Sequence, residues 1–360
     1  MDEILNAATR LIKTSRWHHA ILLLEPLSAD PRAAAMLAAA YRRDARYEEC
    51  IRLAQACEPQ VQILYEKAMS HLALSDGAAA LTAFDAVLAQ DPNRAAAWFG
   101  SHGAALESNG VDDALTRLNR ASSCHGANGK YFSYAYALLT LAGRTEQARA
   151  LFDQTLAAYP RRRALADGID ALTGHLAPQT RLFGLSASLL RHALAEARRP
   201  GLVLEFGVRR GTSIRHLAAA ADQEVHGFDS FEGLPEDWGG ESGGVLSTQA
   251  DLPSVPNNVR LHAGWFADTL PGFLAQHGGP VRLANIDSDI YSSARYVLFQ
   301  LAPYLVPGSV LVFDEFIGNR TWADDEYKAF AEFVEAYPCR WQVMAVSPAT
   351  KQVAVRLDGC

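Results

Sequence analysis

The chain has 360 residues, 49% of them apolar and 20% charged, with a formal net charge of −7. That size and balance describe an ordinary soluble globular protein, too long for one hydrophobic core, so two domains are expected. The acidic balance offers no basic footprint for nucleic acid, and no apolar run approaches the roughly 18 residues of a membrane span.

The first segment, MDEILNAATRLIKTSRW, is acidic and then amphipathic and carries no secretory pattern, so a cytoplasmic location is expected. The five cysteines (Cys50, Cys57, Cys124, Cys339, Cys360) are odd in number and scattered, with no CxxC and no His at zinc-ligand spacing. Neither a disulfide framework nor a structural zinc is expected.

The N-terminal half repeats. Pro92 and Pro160 lie 68 residues apart, twice 34. Starts at Met1, Pro31, Val61, Ala95 and Gly129 bring Ala20, Cys50, Ala80, Ala114 and Ala148 to one position, where the residue is always small. Four residues on stand Leu24, Ala54, Phe84, Leu118 and Phe152, and three further Leu27, Cys57, Val87, Ala121 and Thr155. Small residues let two helices approach, and larger apolar ones fill the space between them. This pattern is similar to the tetratricopeptide repeat, although the first three starts are 30 apart and most aromatic signature positions are aliphatic. The resemblance implies an all-α helical solenoid over 1–176, ten helices and a capping helix near 163–176, which binds a protein partner or copies of itself.

Ala177-Pro178-Gln179 marks the boundary, because proline cannot continue a helix. A second domain, 180–360, opens with an amphipathic helix over 183–198. Apolar runs then alternate with helical patterns, the mark of an α/β doubly wound parallel sheet, and a hairpin of 341–347 with 352–357 closes it with one antiparallel strand. The runs read VLEFGVRRGTS, VHGFDSFEGLP, VRLHAGWF, VRLANIDSDIY and SVLVFDEF, and most stop at carboxylates. Ligands of such sheets bind outside the carboxyl ends of the strands, so these stops face one crevice.

After the first of these strands, Glu205 stands where a dinucleotide fold has its first glycine, which disfavours pyrophosphate. Gly207 and Gly211 still let backbone approach a ligand at a helix opened by Thr212 or Ser213, and the adjacent carboxylate suits an ammonium group. Asp229 ends the next strand, placed to accept from both hydroxyls of a ribose, followed by Ser230 and by Phe231, set against an adenine. Trp265 and Phe266 supply further pocket wall, and Asp287 closes the donor site. Together these residues resemble a class I (Rossmann-like) methyltransferase that uses S-adenosylmethionine.

Asp287, Asp289, Asp314 and Glu315 converge beside that site. Like charges in a cleft raise one another's pKa, and a hard cation such as Mg2+ would relieve them while keeping positions open for substrate oxygens. The strings FDSFEGLP, GWFADTLP, IDSDIYSS and VLVFDEF resemble the macrocin and mycinamicin sugar O-methyltransferases. That resemblance implies Mg2+ held by Asp287, Asp314 and Glu315, although the family has aspartate where Glu315 stands. It also implies a hydroxylated small-molecule acceptor, a sugar or polyhydroxylated natural product. Asp289 is the candidate base, with His262 second. The long 232–256 segment reads as a lid with Trp238 as a cap, and 318–326 as another wall of the acceptor site. Two other readings fit the same residues: a metal-independent methyltransferase on a protein- or carrier-bound acceptor, and a non-catalytic repeat scaffold.

Overall fold

The computed structural model describes residues 1–238 and 242–359. The chain divides into two compact units, Met1–Tyr131 and Phe132–Cys360. Cys360 lies outside the described residues, as do three residues of the lid segment.

The first unit holds eight helices: α1 Asp2–Lys13, α2 Trp17–Leu24, α3 Pro31–Arg43, α4 Tyr47–Ala56, α5 Val61–Ala73, α6 Gly77–Gln90, α7 Ala95–Asn109 and α8 Val111–Ser123. They run as antiparallel pairs whose members meet at the repeating small residues, and Ala20, Cys50, Ala80 and Ala114 are wholly buried. The turn inside each pair recurs too. Ser15, Ala45 and Ser75, one repeat apart, all take left-handed backbone, and in the fourth repeat the task moves to Gly110. Asp30 and Asp76 cap α3 and α6 by accepting from Ala33 N and Ala79 N, both at 3.1 Å. His102 of α7 is a wholly enclosed ring whose pKa burial lowers to about 4.

The second unit begins with α9 Tyr131–Leu141, α10 Thr145–Thr155 and α11 Ala164–Leu172. Its remaining elements are β1 Leu176–Leu182, α12 Ser186–Glu196, β2 Leu202–Phe206, α13 Thr212–Ala220, β3 Val225–Asp229, β4 Val259–Ala263, α14 Phe266–His277, β5 Val281–Ile286, α15 Tyr291–Leu301, β6 Val310–Phe313, α16 Glu326–Ala336, β7 Arg340–Ser347 and β8 Gln352–Gly359. The strands form one sheet of order β1-β7-β8-β6-β5-β2-β3-β4, parallel except for β8, which runs antiparallel to β6 and β7. The expected doubly wound sheet with its C-terminal hairpin is observed. Its edge strand β1 was not expected: the Ala-Pro-Gln stretch read as the boundary lies within it, between Leu176 and Arg181, which pair with β7 on either side of a register shift, and proline is tolerated on an edge strand.

The unit border also falls ahead of residues 177–179. Helix α11 packs against the segment that follows β6: a Cβ on Gly168 would lie 3.0 Å from the Ile317 side chain, and one on Gly318 would lie 3.1 Å from Leu165. His175 stacks on Trp341 with ring centres 3.8 Å apart. Cys50, Cys57 and Cys124 are free thiols. Cys339 is disulfide-bonded, a bond that the scattered cysteine spacing did not suggest. Among the described residues no helix is long and apolar enough to cross a membrane.

Candidate active site

Chain order reverses at β2: β3 and β4 lie on one side of it, β5 and β6 on the other. That reversal opens a crevice at the strands' carboxyl ends. Phe206 is level with Ile286 and Ile286 with Phe313, so Gly207, Asp287 and Asp314 follow side by side. Asp287 N donates to Phe206 O at 2.8 Å and Asp314 N to Ile286 O at 3.0 Å, which carries the ladder one step beyond the strands.

Glu205, on β2, has no exposed surface. It accepts from Ser213 Oγ at 2.9 Å and from Asn285 Nδ2 at 3.2 Å. Burial pushes its carboxyl up to about 8, and the charges of Asp314 and Asp229 add to the rise against those two hydrogen bonds. At neutral pH the group is held largely protonated, a state that an arriving cation reverses. Gly207 takes φ +97° and Gly211 φ +79°, and Gly211 rather than Thr212 or Ser213 is the N-cap of α13. Ser213 serves by fixing Glu205.

Asp229 is committed to the loop that follows β2. Its Oδ2 accepts from Val208 N at 2.8 Å and Arg209 N at 2.6 Å, and its Oδ1 from Phe231 N at 2.6 Å. A carboxylate has about four lone-pair sites, so roughly one is left for a ligand, not enough for both hydroxyls of a ribose. Ser230 belongs to the same turn and accepts from Glu232 N at 3.2 Å. Phe231 is corrected: it is 2% exposed, in a core cluster with Val208 and Ile214, and an adenine needs an open ring face. Phe266 meets Phe206 edge to face at 5.6 Å, and Trp265 beside it is 37% exposed, a free aromatic face at the end of β4.

The acids after β5 and β6 do converge. Asp287 is raised well above the usual carboxylate range by burial, then by Asp314, Asp289, Glu205 and Glu326. Burial and the charges of Glu315 and Asp314 push Asp289 to about 8, and burial and Glu315 push Asp314 to about 7. Asp289 has left-handed backbone, φ +61°.

The side chains of the two acids after β6 are already engaged. Glu315 accepts from Lys351 Nζ at 3.0 Å and from Asn319 Nδ2, while Asp314 accepts from Gln352 Nε2. Among the described residues no group of three or more His, Cys, Asp or Glu is arranged to hold a metal ion. Of the expected Asp287, Asp314 and Glu315 ligand set, the longer Glu315 is drawn to Lys351 on the β7–β8 turn and Asp314 to Gln352, although both stay close enough to the other acids to raise their pKa.

His262 is corrected as a candidate base. Its ring stacks on Phe228 at 4.5 Å and its Nε2 meets His226 Nδ1 at 3.3 Å. These contacts place it in an aromatic cluster with Phe273, not among the acids.

Four residues of the site were not anticipated: Asn285, Glu326, Lys351 and Gln352. Asn285 carried a signal, as an amide inside the apolar run of β5. Glu326 read as part of a helix charge cluster, yet it is wholly buried and accepts from Ser288 N and Glu315 N, both at 3.2 Å, tying the ends of β5 and β6 together. Lys351 ends the β7–β8 turn and Gln352 opens β8, where nothing local announces a task. Within the lid segment, Glu236 accepts from Ser292 Oγ at 2.7 Å, and Pro253 closes on Gly211.

A family model described as "Methyltransferase domain" matches residues 204–316. A curated relative from Streptomyces olivaceus, 8-demethyl-8-(2,3-dimethoxy-alpha-L-rhamnosyl)-tetracenomycin-C 4'-O-methyltransferase, is 32% identical over 145 residues, 32% of this chain and 53% of the relative. The chain thus spans about half the length of that relative. Among solved structures, the calicheamicin methyltransferase CalS11 has a TM-score of 0.39 at 21% identity, covering 62% of this chain and 91% of its own. YrrB, described as a TPR protein with an unusual peptide-binding site, has a TM-score of 0.37 at 16% identity, covering 44% of this chain and 85% of its own. The stretch that builds the crevice, from the strand of Glu205 to the acids after β6, is the stretch that matches the methyltransferase domain.

Proposed function

We propose that the chain transfers the methyl group of S-adenosylmethionine to a hydroxyl of a sugar or other polyhydroxylated acceptor. The observation that carries the reading is Glu205, a fully buried carboxylate held by Ser213 and Asn285 under the Gly207–Gly211 loop, inside the segment that matches the methyltransferase domain. The donor's ammonium satisfies it as the missing countercharge, Trp265 and Phe266 wall the adenine, and the lone pair left on Asp229 takes one ribose hydroxyl.

The sulfonium is already activated, so what remains is to align an acceptor oxygen and remove its proton. Asp289, pushed up to about 8, is matched to that proton near neutral pH. The sugar acceptor is supported by the rhamnosyl O-methyltransferase named above. Magnesium is the finer part of the resemblance, and a Glu315 paired with Lys351 does not fit the three-acid donor set that it implies. Residues 1–176 recruit a protein partner or a second copy of the chain, a role that light scattering of the full chain checks for self-association.

Titration calorimetry with S-adenosylmethionine tests the whole reading. One equivalent bound by the wild type, and none by Glu205→Gln, is the expected result. No binding by the wild type refutes it.

A further inference from the structure

The acid-rich end of the crevice needs a countercharge, and one turn of the chain delivers it. Lys351 and Gln352 are successive residues at the tip of the β7–β8 hairpin, and each takes one of the two acids that follow β6. Lys351 Nζ lies 3.0 Å from Glu315 Oε2 and also donates to Asn319 Oδ1. Gln352 Nε2 donates to Asp314 and, at 2.9 Å, to Ser186 Oγ.

The placement is built rather than incidental. Lys351 holds left-handed backbone at φ +64°, a conformation uncommon for a side-chain-bearing residue. Its stem is seated on Gly318, where an added Cβ would approach Lys351 Cγ to 3.3 Å and Cδ to 3.4 Å. The pair is also well covered, with the Lys351 side chain 27% and the Glu315 side chain 18% exposed.

We infer that Lys351 is the resident cation of the acceptor subsite: its ammonium fills the position at Glu315 that a divalent metal would take, so the site holds its charge balance without binding Mg2+. The inference rests on the methyltransferase reading for the meaning of the subsite, but its test does not.

Mn2+ binding to the full-length protein, read by electron paramagnetic resonance with Mg2+ as competitor, decides it. The wild type is expected to bind no stoichiometric Mn2+. Lys351→Met keeps the stem and removes the charge, and should gain Mn2+ affinity on the order of tenfold or more, since the unpaired carboxylate then seeks a cation. Lys351→Met combined with Glu315→Gln should lose that gain. One equivalent of Mn2+ bound by the wild type and displaced by Mg2+ overturns the inference, and so does Lys351→Met without any gain. If Lys351→Met does not fold, the wild-type titration decides alone. S-adenosylmethionine calorimetry on the same samples keeps the two questions apart: failure to bind the donor refutes the methyltransferase reading and leaves the cation result standing.

Discussion

Gly207 passes so close to Asp287 that a Cβ built on the glycine would lie 1.7 Å from the Asp287 carbonyl oxygen. Strands β2 and β5 therefore leave the sheet in backbone contact, and the crevice begins at that contact. With φ +97° the position is strained for any side chain even before the clash. Gly207→Ala should destabilise the second unit by on the order of 3 kcal/mol or more, because neither backbone can retreat without breaking the ladder. Urea unfolding followed by tryptophan fluorescence checks this, and a loss below 1 kcal/mol, within the range of ordinary surface substitutions, would show that the strands part freely.

Glu205 makes stability depend on pH in a defined direction. Its folded-state value of about 8 lies above the ordinary 4.5, so the folded protein holds the proton more tightly than the unfolded chain. Its contribution is complete below about pH 4.5 and is lost as pH rises through 8. Glu205→Gln removes the titration, so the variant should melt several degrees above the wild type at pH 9 and close to it at pH 4. Thermal unfolding at the two pH values measures the difference, and equal melting curves at pH 9 would contradict the buried, protonated carboxyl.

Asp229 organises a loop through three backbone hydrogen bonds. Asp229→Asn replaces an acceptor oxygen by a donor facing N–H groups. It should cost about 1–3 kcal/mol and weaken donor binding by about tenfold. Calorimetry with S-adenosylmethionine, paired with urea unfolding, separates these effects. Weakened binding at unchanged stability would mean that Asp229 touches the donor but does not hold the loop.

The histidine cluster predicts acid sensitivity at the β3–β4 edge. His226 is held neutral, its pKa lowered to about 4 by burial and then by His262 and His277, with Arg260 acting in the same sense and Glu224 against it. The depressed value means that stability is present above pH 6.5 and falls as the pH drops toward 4. His226→Phe keeps the ring packing against Phe273 and removes the proton site. Its unfolding free energy should vary less between pH 6.5 and pH 4 than that of the wild type. Identical slopes for the two proteins would assign the acid sensitivity elsewhere.

In the helical unit, Ala80 stands at the recurring small position and is wholly buried between α5 and α6. Ala80→Leu forces that pair apart and should cost about 1–3 kcal/mol, with little effect on donor binding by the other unit. Circular dichroism during urea unfolding gives the first quantity and calorimetry the second. Lost donor binding would couple the two units, against expectation.

The repeats and the sheet were legible because both rest on periodic burial: small residues recurring through the helices, and apolar runs stopping at acids through the strands. Glu205, Gly207 and Asp287 were legible for the same reason, since strand ends locate themselves. What escaped depends on contacts across long sequence separations. Phe231 read as an adenine platform because the sequence shows an aromatic after an acid, not the left-handed turn that drops its ring into the core. His262 read as a base because a histidine near a strand end looks available, and the stack on Phe228 is invisible until β3 and β4 pair. Glu315 read as a metal ligand because the lysine that claims it lies 36 residues downstream.

Helix α11 ends the repeat array in sequence, yet its Leu165 and Gly168 pack against Ile317 and Gly318, immediately beyond the acids of β6. The covalent border at 177–179 is therefore not a seam along which the molecule can be divided. A fragment starting at residue 180 would bare the back of the acid cluster and remove the support beneath Lys351. Moving this half onto another scaffold means taking residues 132–176 along with it, and a change on the last helices is a change beside the acids that follow β6.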